Sequence, residues 1–153
     1  MLGYHVNMID QNSNPQTLAN LELFHRAYRA FTSRADGILE GRGLARSHHR
    51  ILYFVGRNPQ VTINTLLGIL GVSKQALNEP LRQLIERGLI SAEVAVHDRR
   101  VRQLSLTESG RQLEGELTAT QVQQLEAAFA AVGIKATAGW LAVMQEFSPP
   151  GAV

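Results

Sequence analysis

Between Ser73 and Leu106 the chain gathers the side chains best suited to contact a polyanion. Lys74, Gln75, Asn78, Glu79 and Arg82 share one side of a segment whose other side, Val72, Leu77, Leu81, Leu84 and Ile85, recurs at helical spacing and is apolar. Arginine can donate two hydrogen bonds to a guanine edge, asparagine or glutamine can pair with adenine, and lysine reaches phosphate. Ser73 stands where a helix needs a cap, and the amides it leaves exposed can also take a phosphate. Farther on, His97-Asp98-Arg99-Arg100 forms a polar turn. Two guanidinium groups at such a tip suit a narrow, electronegative minor groove, with Asp98 placed to orient a neighbouring arginine.

The flanking elements must hold these residues in place. Thr62 to Leu70 reads as a short amphipathic helix, and Gly71-Val72 leaves only a tight turn before Ser73, which is the spacing of a helix-turn-helix. The second helix of such a pair lies in the major groove of double-stranded DNA. Arg87-Gly88 stops that helix. Leu89 to Val96 and Val101 to Leu106 then alternate as the two strands of a hairpin with a doubly basic tip. A helix-turn-helix followed by such a hairpin is a winged helix.

Upstream, Leu18, Leu21, Phe24, Tyr28, Phe31, Ala35 and Ile38 predict an amphipathic helix over 17–39, and Leu44 to about Asn58 a second one, ended by Pro59. Downstream, Thr107-Glu108-Ser109-Gly110 opens a helix running to Gly133, and another follows from Thr137 to Phe147. The expected organisation is a flexible segment 1–16 and one domain 17–147, with a winged-helix core at about 44–106 and arms at 17–39 and 108–147. The fold class is mainly α with a small β-hairpin wing. The apolar arms exceed what one small winged helix can cover. The cheapest partner is a second copy of the chain, since a two-fold dimer also matches a palindromic DNA site.

Composition narrows the function classes. The 153 residues, 44% hydrophobic, can bury one core or one core plus an interface. The formal charge is only +2, but from Ala45 to Arg111 ten basic residues face five acidic ones, so the remainder is net acidic. A basic middle between acidic ends fits a DNA-facing centre with protein-facing arms. With no cysteine, disulfides, thiolate metal sites and sulfur redox sensing are excluded. The N-terminus lacks a secretory signal pattern, and no stretch is expected to reach the roughly 20 uncharged apolar residues of a membrane span, which points to a cytoplasmic protein with no membrane partner.

Val72-Ser73-Lys74-Gln75, the run Leu-x-x-Leu-Ile-Glu-Arg-Gly-Leu-Ile from Leu81 to Ile90, Asp98-Arg99-Arg100 and Leu106-Thr107-Glu108-Ser109-Gly110 together resemble the MarR family of bacterial transcriptional regulators. The resemblance spans about Thr17 to Phe147 in element order. It implies a homodimer with interlocking terminal helices, two reading helices in successive major grooves of a pseudo-palindromic operator, and wing arginines near the minor groove. On this reading the DNA-binding residues are Ser73, Lys74, Gln75, Asn78, Arg82, Arg99 and Arg100. Two departures stand out. Ala92 occupies a place where the family often has a basic residue, and Pro80 lies within the reading helix, which must either bend there or begin late.

Tyr28, His48 and Tyr53, with Phe54, sit on helices that could wall a pocket where members of the resembled family bind small aromatic anions; ordinary packing explains them equally well. His48 and His49, with His5, His25 and His97, show no i, i+4 pair with an acidic partner, so no metal site is expected. No nucleophile-base pair, paired carboxylates or phosphate loop points to an enzyme or to a cofactor. The sequence therefore reads as a sequence-specific, double-stranded-DNA-binding transcriptional regulator, a dimeric repressor released by a small effector. The alternative is a winged-helix protein-interaction module without specific DNA binding.

Overall fold

The structure is a computed structural model that describes residues 14–148. The chain divides into two compact units, the first ending at Ser33 and the second beginning at Arg34, so the boundary falls inside the first helix. Helix α1 spans Pro15–Gly41. It begins earlier than the periodicity predicts, because the Asn14 side chain accepts the Gln16 N–H at 3.0 Å and proline fits the first helical position. Pro15 and Gln16 thus leave the segment expected to be loose; the rest of that segment, to Ser13, lies outside the described residues. Within the first unit, the apolar stripe of α1 is in the open: Leu18, Leu21, Leu23, Phe24 and Tyr28 are all exposed.

The second unit continues from the end of α1 through α2 (Arg46–Arg57), β1 (Val61–Thr62), α3 (Ile63–Leu70), α4 (Lys74–Glu86), β2 (Ile90–Val94), β3 (Arg102–Leu106) and α5 (Glu108–Phe147). The wing is more than the expected hairpin: β1 pairs antiparallel with β3, giving a three-stranded sheet of order β1-β3-β2. Val61 lies opposite Leu104, and Ile90 opposite Leu106. A two-residue strand is too short to show alternation in sequence, so only tertiary pairing reveals it.

Leu39, Leu52, Val55, Leu66, Leu84, Ile90, Leu104, Leu113 and Leu117 are almost wholly removed from solvent and form one core with contributions from every helix of this unit. Each such leucine stabilises the fold by about 1.5–3 kcal/mol relative to exposure. The start of α5 is pinned against the sheet. Thr107 Oγ1 accepts the Gly110 N–H at 3.0 Å and donates to the Gly88 carbonyl at 2.6 Å, while the Thr107 N–H donates to the Leu89 carbonyl at 3.1 Å.

The two helices expected after Thr107 form α5, interrupted at Gly133, whose φ of 85° and ψ of 174° are not helical. Beyond the break, Ile134, Trp140, Leu141, Val143 and Phe147 are exposed. Between Glu126 and Glu146 the only charge is Lys135, so by length and composition α5 is apolar enough to cross a membrane, contrary to the expectation from sequence. The break at Gly133 falls inside this stretch and divides it.

Gly110 carries the tightest constraint in the unit, since a Cβ there would lie 1.9 Å from the Leu89 carbonyl oxygen. Gly110→Ala must push α5 off the strand it is capped against, and a backbone atom cannot swing aside as a side chain can. The expected loss is about 3 kcal/mol, at the upper end of overpacking costs, measured by urea denaturation. Gly68→Ala, where nothing lies within 4 Å of the added methyl, serves as the control and should not destabilise.

Candidate nucleic-acid interface

The polar residues singled out in sequence depend first on two helix caps. Thr62 Oγ1 accepts the Thr65 N–H at 3.2 Å and starts α3; Gly71, at φ 62° and ψ 33°, ends it in a left-handed conformation that glycine adopts without strain. Two residues later Ser73 Oγ accepts the Ala76 N–H at 3.1 Å and starts α4. This is the tight helix-turn-helix that the spacing predicts. With Lys74 as the first residue of α4, Pro80 is its seventh, well inside the helix, so a late start is not how the proline is accommodated.

Leu77, Leu81 and Leu84 are buried under α4, which turns Ser73, Lys74, Gln75, Asn78 and Arg82 to solvent. Arg82 does not stand free on that face. Its Nε and Nη2 donate to the two oxygens of Glu79 at 3.1 and 2.5 Å, and its Nη1 donates to Glu86. The hydrogen bond from Arg82 is the main reason the Glu79 carboxyl is held below the usual glutamate range, and the Arg82 guanidinium is raised in turn, chiefly by Glu79 and then by Glu86. Glu86 was missed in the sequence, although its i+4 spacing from Arg82 marks it as a partner.

The back of α4 is tied to the elements before it by polar contacts. The buried His48 of α2 accepts the Ala45 N–H on Nδ1 at 3.0 Å, and its Nε2 lies 2.6 Å from Gln83 Oε1. Arg50 donates to the Leu70 carbonyl at 3.0 Å, at the end of α3. From the end of α4, Arg87 donates to the carbonyls of Arg42 at 2.5 Å and Gly43 at 3.2 Å.

The hairpin exposes Arg99 and Arg100 to solvent at its tip. Asp98 Oδ1 accepts the backbone N–H of Arg100 at 2.9 Å, so it shapes the turn that carries the arginines. The Ala95 N–H closes the turn by donating to the Val101 carbonyl at 2.9 Å. Val96, the most exposed large apolar residue of this hairpin, is 94% accessible.

Of the three residues expected to line an effector pocket, the second unit holds two, His48 and Tyr53. His48 is consumed by the Ala45 and Gln83 bonds just described, because a histidine at the third position of a helix substitutes for the cap that alanine cannot supply. Tyr53 is half-buried, with the Arg57 guanidinium 4.6 Å from its ring centre and the Phe54 ring edge-on at 5.1 Å. Tyr28 belongs to the first unit. The second unit does contain a small cleft, about 120 Å³, between α2 and α4, walled by Arg50, Ile51, Leu70, Val72, Leu77 and Pro80. Among the described residues no three histidine, aspartate or glutamate side chains come together as a metal site. His49 is buried, and that burial pushes its imidazole below the usual histidine range against the opposing pull of Glu114 and Asp36.

A capped helix pair, a buried-back and polar-front second helix, and a sheet with a doubly basic tip define a winged helix-turn-helix DNA-binding protein. A family model described as MarR matches residues 42–101. The chain is 41% identical over 138 residues to the HTH-type transcriptional regulator PetP of Rhodobacter capsulatus, covering 90% of this chain and 83% of that protein. The fold is similar to Staphylococcus aureus MarR in complex with salicylate and kanamycin, at a TM-score of 0.69 and 24% identity over 86% of this chain and 89% of that one. It is also similar to a mutant of S. aureus MepR bound to an oligodeoxyribonucleotide, at a TM-score of 0.61 and 19% identity over 84% and 94% of the two chains. The protein belongs to the MarR family and is a DNA-binding transcriptional regulator, not an enzyme.

The fork between Arg82 and Glu79 can be checked without DNA. In a carboxyl titration followed by NMR, Glu79 should lose its proton at lower pH than an ordinary glutamate, about 4.3. In Arg82→Ala its midpoint should rise toward that ordinary value, with only the Gln83 hydrogen bond still holding it down. An unchanged midpoint would show that the ion pair does not persist in solution.

Proposed function

We propose that the protein is a homodimeric repressor that reads a pseudo-palindromic operator and is released by a small aromatic or anionic effector. The observation that carries the DNA reading is the exposed face of α4, beginning at the Ser73 cap and running through Lys74, Gln75, Asn78 and Arg82, next to an exposed Arg99-Arg100 tip. On this reading Asn78 and Arg82 meet base edges, Ser73, Lys74 and Gln75 meet phosphates near the start of α4, and the two wing arginines serve phosphate and minor-groove shape. A bound dimer represses by occluding the promoter. Such a protein works in the cytoplasm, where the DNA is.

The dimer reading is supported by two apolar faces, each exposed in its own unit: Leu18, Leu21, Phe24 and Tyr28 on α1, and Trp140, Leu141 and Val143 on the end of α5. Clustered exposed apolar side chains of this kind mark surfaces that meet a partner. Effector release is supported by the salicylate bound to a protein of similar fold. Salicylate is therefore the first compound to test for lifting the protein from DNA.

Selection of bound fragments from genomic DNA, followed by footprinting, tests the reading as a whole. On the selected site, Arg82→Ala should cost about 1–3 kcal/mol for each bidentate pairing with a base that it removes, and should relax preference at one symmetric pair of positions. Part of that cost would come from Glu79 and Glu86, left without their cation before the phosphates. Arg100→Ala should instead weaken specific and random DNA alike and flatten the salt dependence by about 0.9 in log–log slope for each phosphate no longer neutralised, nearly double in a dimer. A changed base preference with an unchanged salt slope in Arg100→Ala would overturn this division.

The oligomer has its own test. Light scattering of the unmodified protein at micromolar concentration should give twice the chain mass, and Leu21→Glu or Trp140→Glu should weaken association or unfold an obligate dimer. A well-folded unmodified monomer refutes the dimer.

A further inference from the structure

A chain of hydrogen bonds runs from the start of α2, through the buried His48, to the guanidinium on the exposed face of α4. It begins at the Ala45 N–H, which donates to His48 Nδ1 at 3.0 Å. A nitrogen that accepts cannot also carry a proton, so in this arrangement the imidazole proton sits on Nε2 and is donated to Gln83 Oε1 at 2.6 Å. That bond settles which way the Gln83 amide faces. Its Nε2 is turned to Glu79 and donates to Oε1 at 3.1 Å. The same Glu79 carboxylate takes Nε and Nη2 of Arg82.

The end of the chain decides what Arg82 can still do. A guanidinium has five N–H donors. Two go to Glu79 and one to Glu86, so two remain, one on each terminal nitrogen. They belong to Nη1 and Nη2, the two terminal nitrogens through which an arginine meets guanine O6 and N7 together. Arg82 can therefore keep its carboxylate and still offer a fork. Alone, an exposed i, i+3 ion pair would leave a long side chain free to move, since such pairs hold weakly. Here one partner of the pair is braced from behind by Gln83, and Gln83 by a histidine that is 7% exposed and fixed to the backbone.

We propose that His48, acting through Gln83 and Glu79, is the positioning residue that presents Arg82 to DNA. The proposal rests on Arg82 being a base-reading residue. His48 touches no DNA on this account; it sets where the reading fork points, and Gln83 and Glu79 transmit that setting. The reading helix is thereby preorganised, and less freedom is lost when the correct base pair is met. The role differs from effector binding, because both ring nitrogens of His48 are already engaged.

Two variants separate positioning from simple structural support. Gln83→Met keeps the size of the side chain and the His48 cap but breaks the chain in the middle. His48→Asn keeps an acceptor near the place of Nδ1 for the Ala45 N–H but has no atom that reaches the place of Nε2. Each is compared with the unmodified protein and with Arg82→Ala on the operator found by selection, on that operator with each base pair changed in turn, and on random DNA, alongside urea denaturation. Both variants should lose roughly three- to tenfold in discrimination at the positions where Arg82→Ala loses it, with random-DNA affinity and salt slope unchanged. Combined with Arg82→Ala, neither should add a further loss there. Nitrogen NMR of the free protein should find the His48 proton on Nε2, and Gln83→Met should leave the cap in place.

If Arg82→Ala changes the base preference but folded Gln83→Met does not, the positioning role is wrong while the DNA reading stands. The same conclusion follows if Gln83→Met weakens all DNA equally, because that is the mark of general structural damage. If Arg82→Ala itself leaves the preference unchanged, the assignment of Arg82 falls and the positioning role falls with it.

Discussion

The burial of Leu77, Leu81 and Leu84 beneath α4 is the interaction on which the rest depends. Three leucines on one side of a thirteen-residue helix leave only one way for it to sit, and whatever lies opposite them must face water. Their core is shared with Leu52 and Val55 of α2, Leu104 of β3 and Leu113 and Leu117 of α5, so the helix, the wing and the start of the long helix are parts of one packed body. The caps at Thr62, Ser73 and Thr107 then fix where each helix begins, to within a residue. One apolar core holds both the polar face of α4 and the basic hairpin tip.

Electrostatics works on a different scale from this packing. The exposed pairs of Arg82 with Glu79 and Glu86, and of Arg111 with Glu108, contribute little to stability because water and salt screen them. Their importance is local: they decide which donors of a guanidinium remain open and how much charge the face of α4 carries. Glu114 is a different case. It is buried in α5, where Thr118 donates to it at 2.6 Å and Arg57 of α2 at 3.4 Å, so its charge is held by partners from two helices rather than by solvent. Losing either partner would leave a carboxylate in a poor medium for charge.

Two features run against simple local rules. Pro80 is placed inside α4, where it cannot donate to the Ala76 carbonyl; it also forms part of the wall of the small cleft against α2, so its ring supplies apolar contact on the inner side of the helix. The other is the amount of apolar surface left in water on α1 of the first unit and on α5 beyond Gly133.

The sequence by itself determined the local facts. Periodicity marked α1 to α4 and both long strands, cap chemistry marked Thr62, Ser73 and Thr107, and the order of helix pair and basic hairpin marked the winged helix, because each is a property of neighbours in the chain. Even the ion pairs of Arg82 with Glu79 and Glu86 are written in i, i+3 and i, i+4 spacing. What the tertiary structure alone decided are contacts between residues far apart in sequence. β1 exists because Val61 and Thr62 find β3 some forty residues later. Gly110 must be glycine because the Leu89 carbonyl lies where its Cβ would be. His48 joins α2 to Gln83, 35 residues away: its acceptor is taken by the nearby Ala45 N–H, and its other ring nitrogen by a partner that only packing brings within reach. Spacing along a chain reports which face a side chain takes; what waits on that face is set by the folding of distant segments against it.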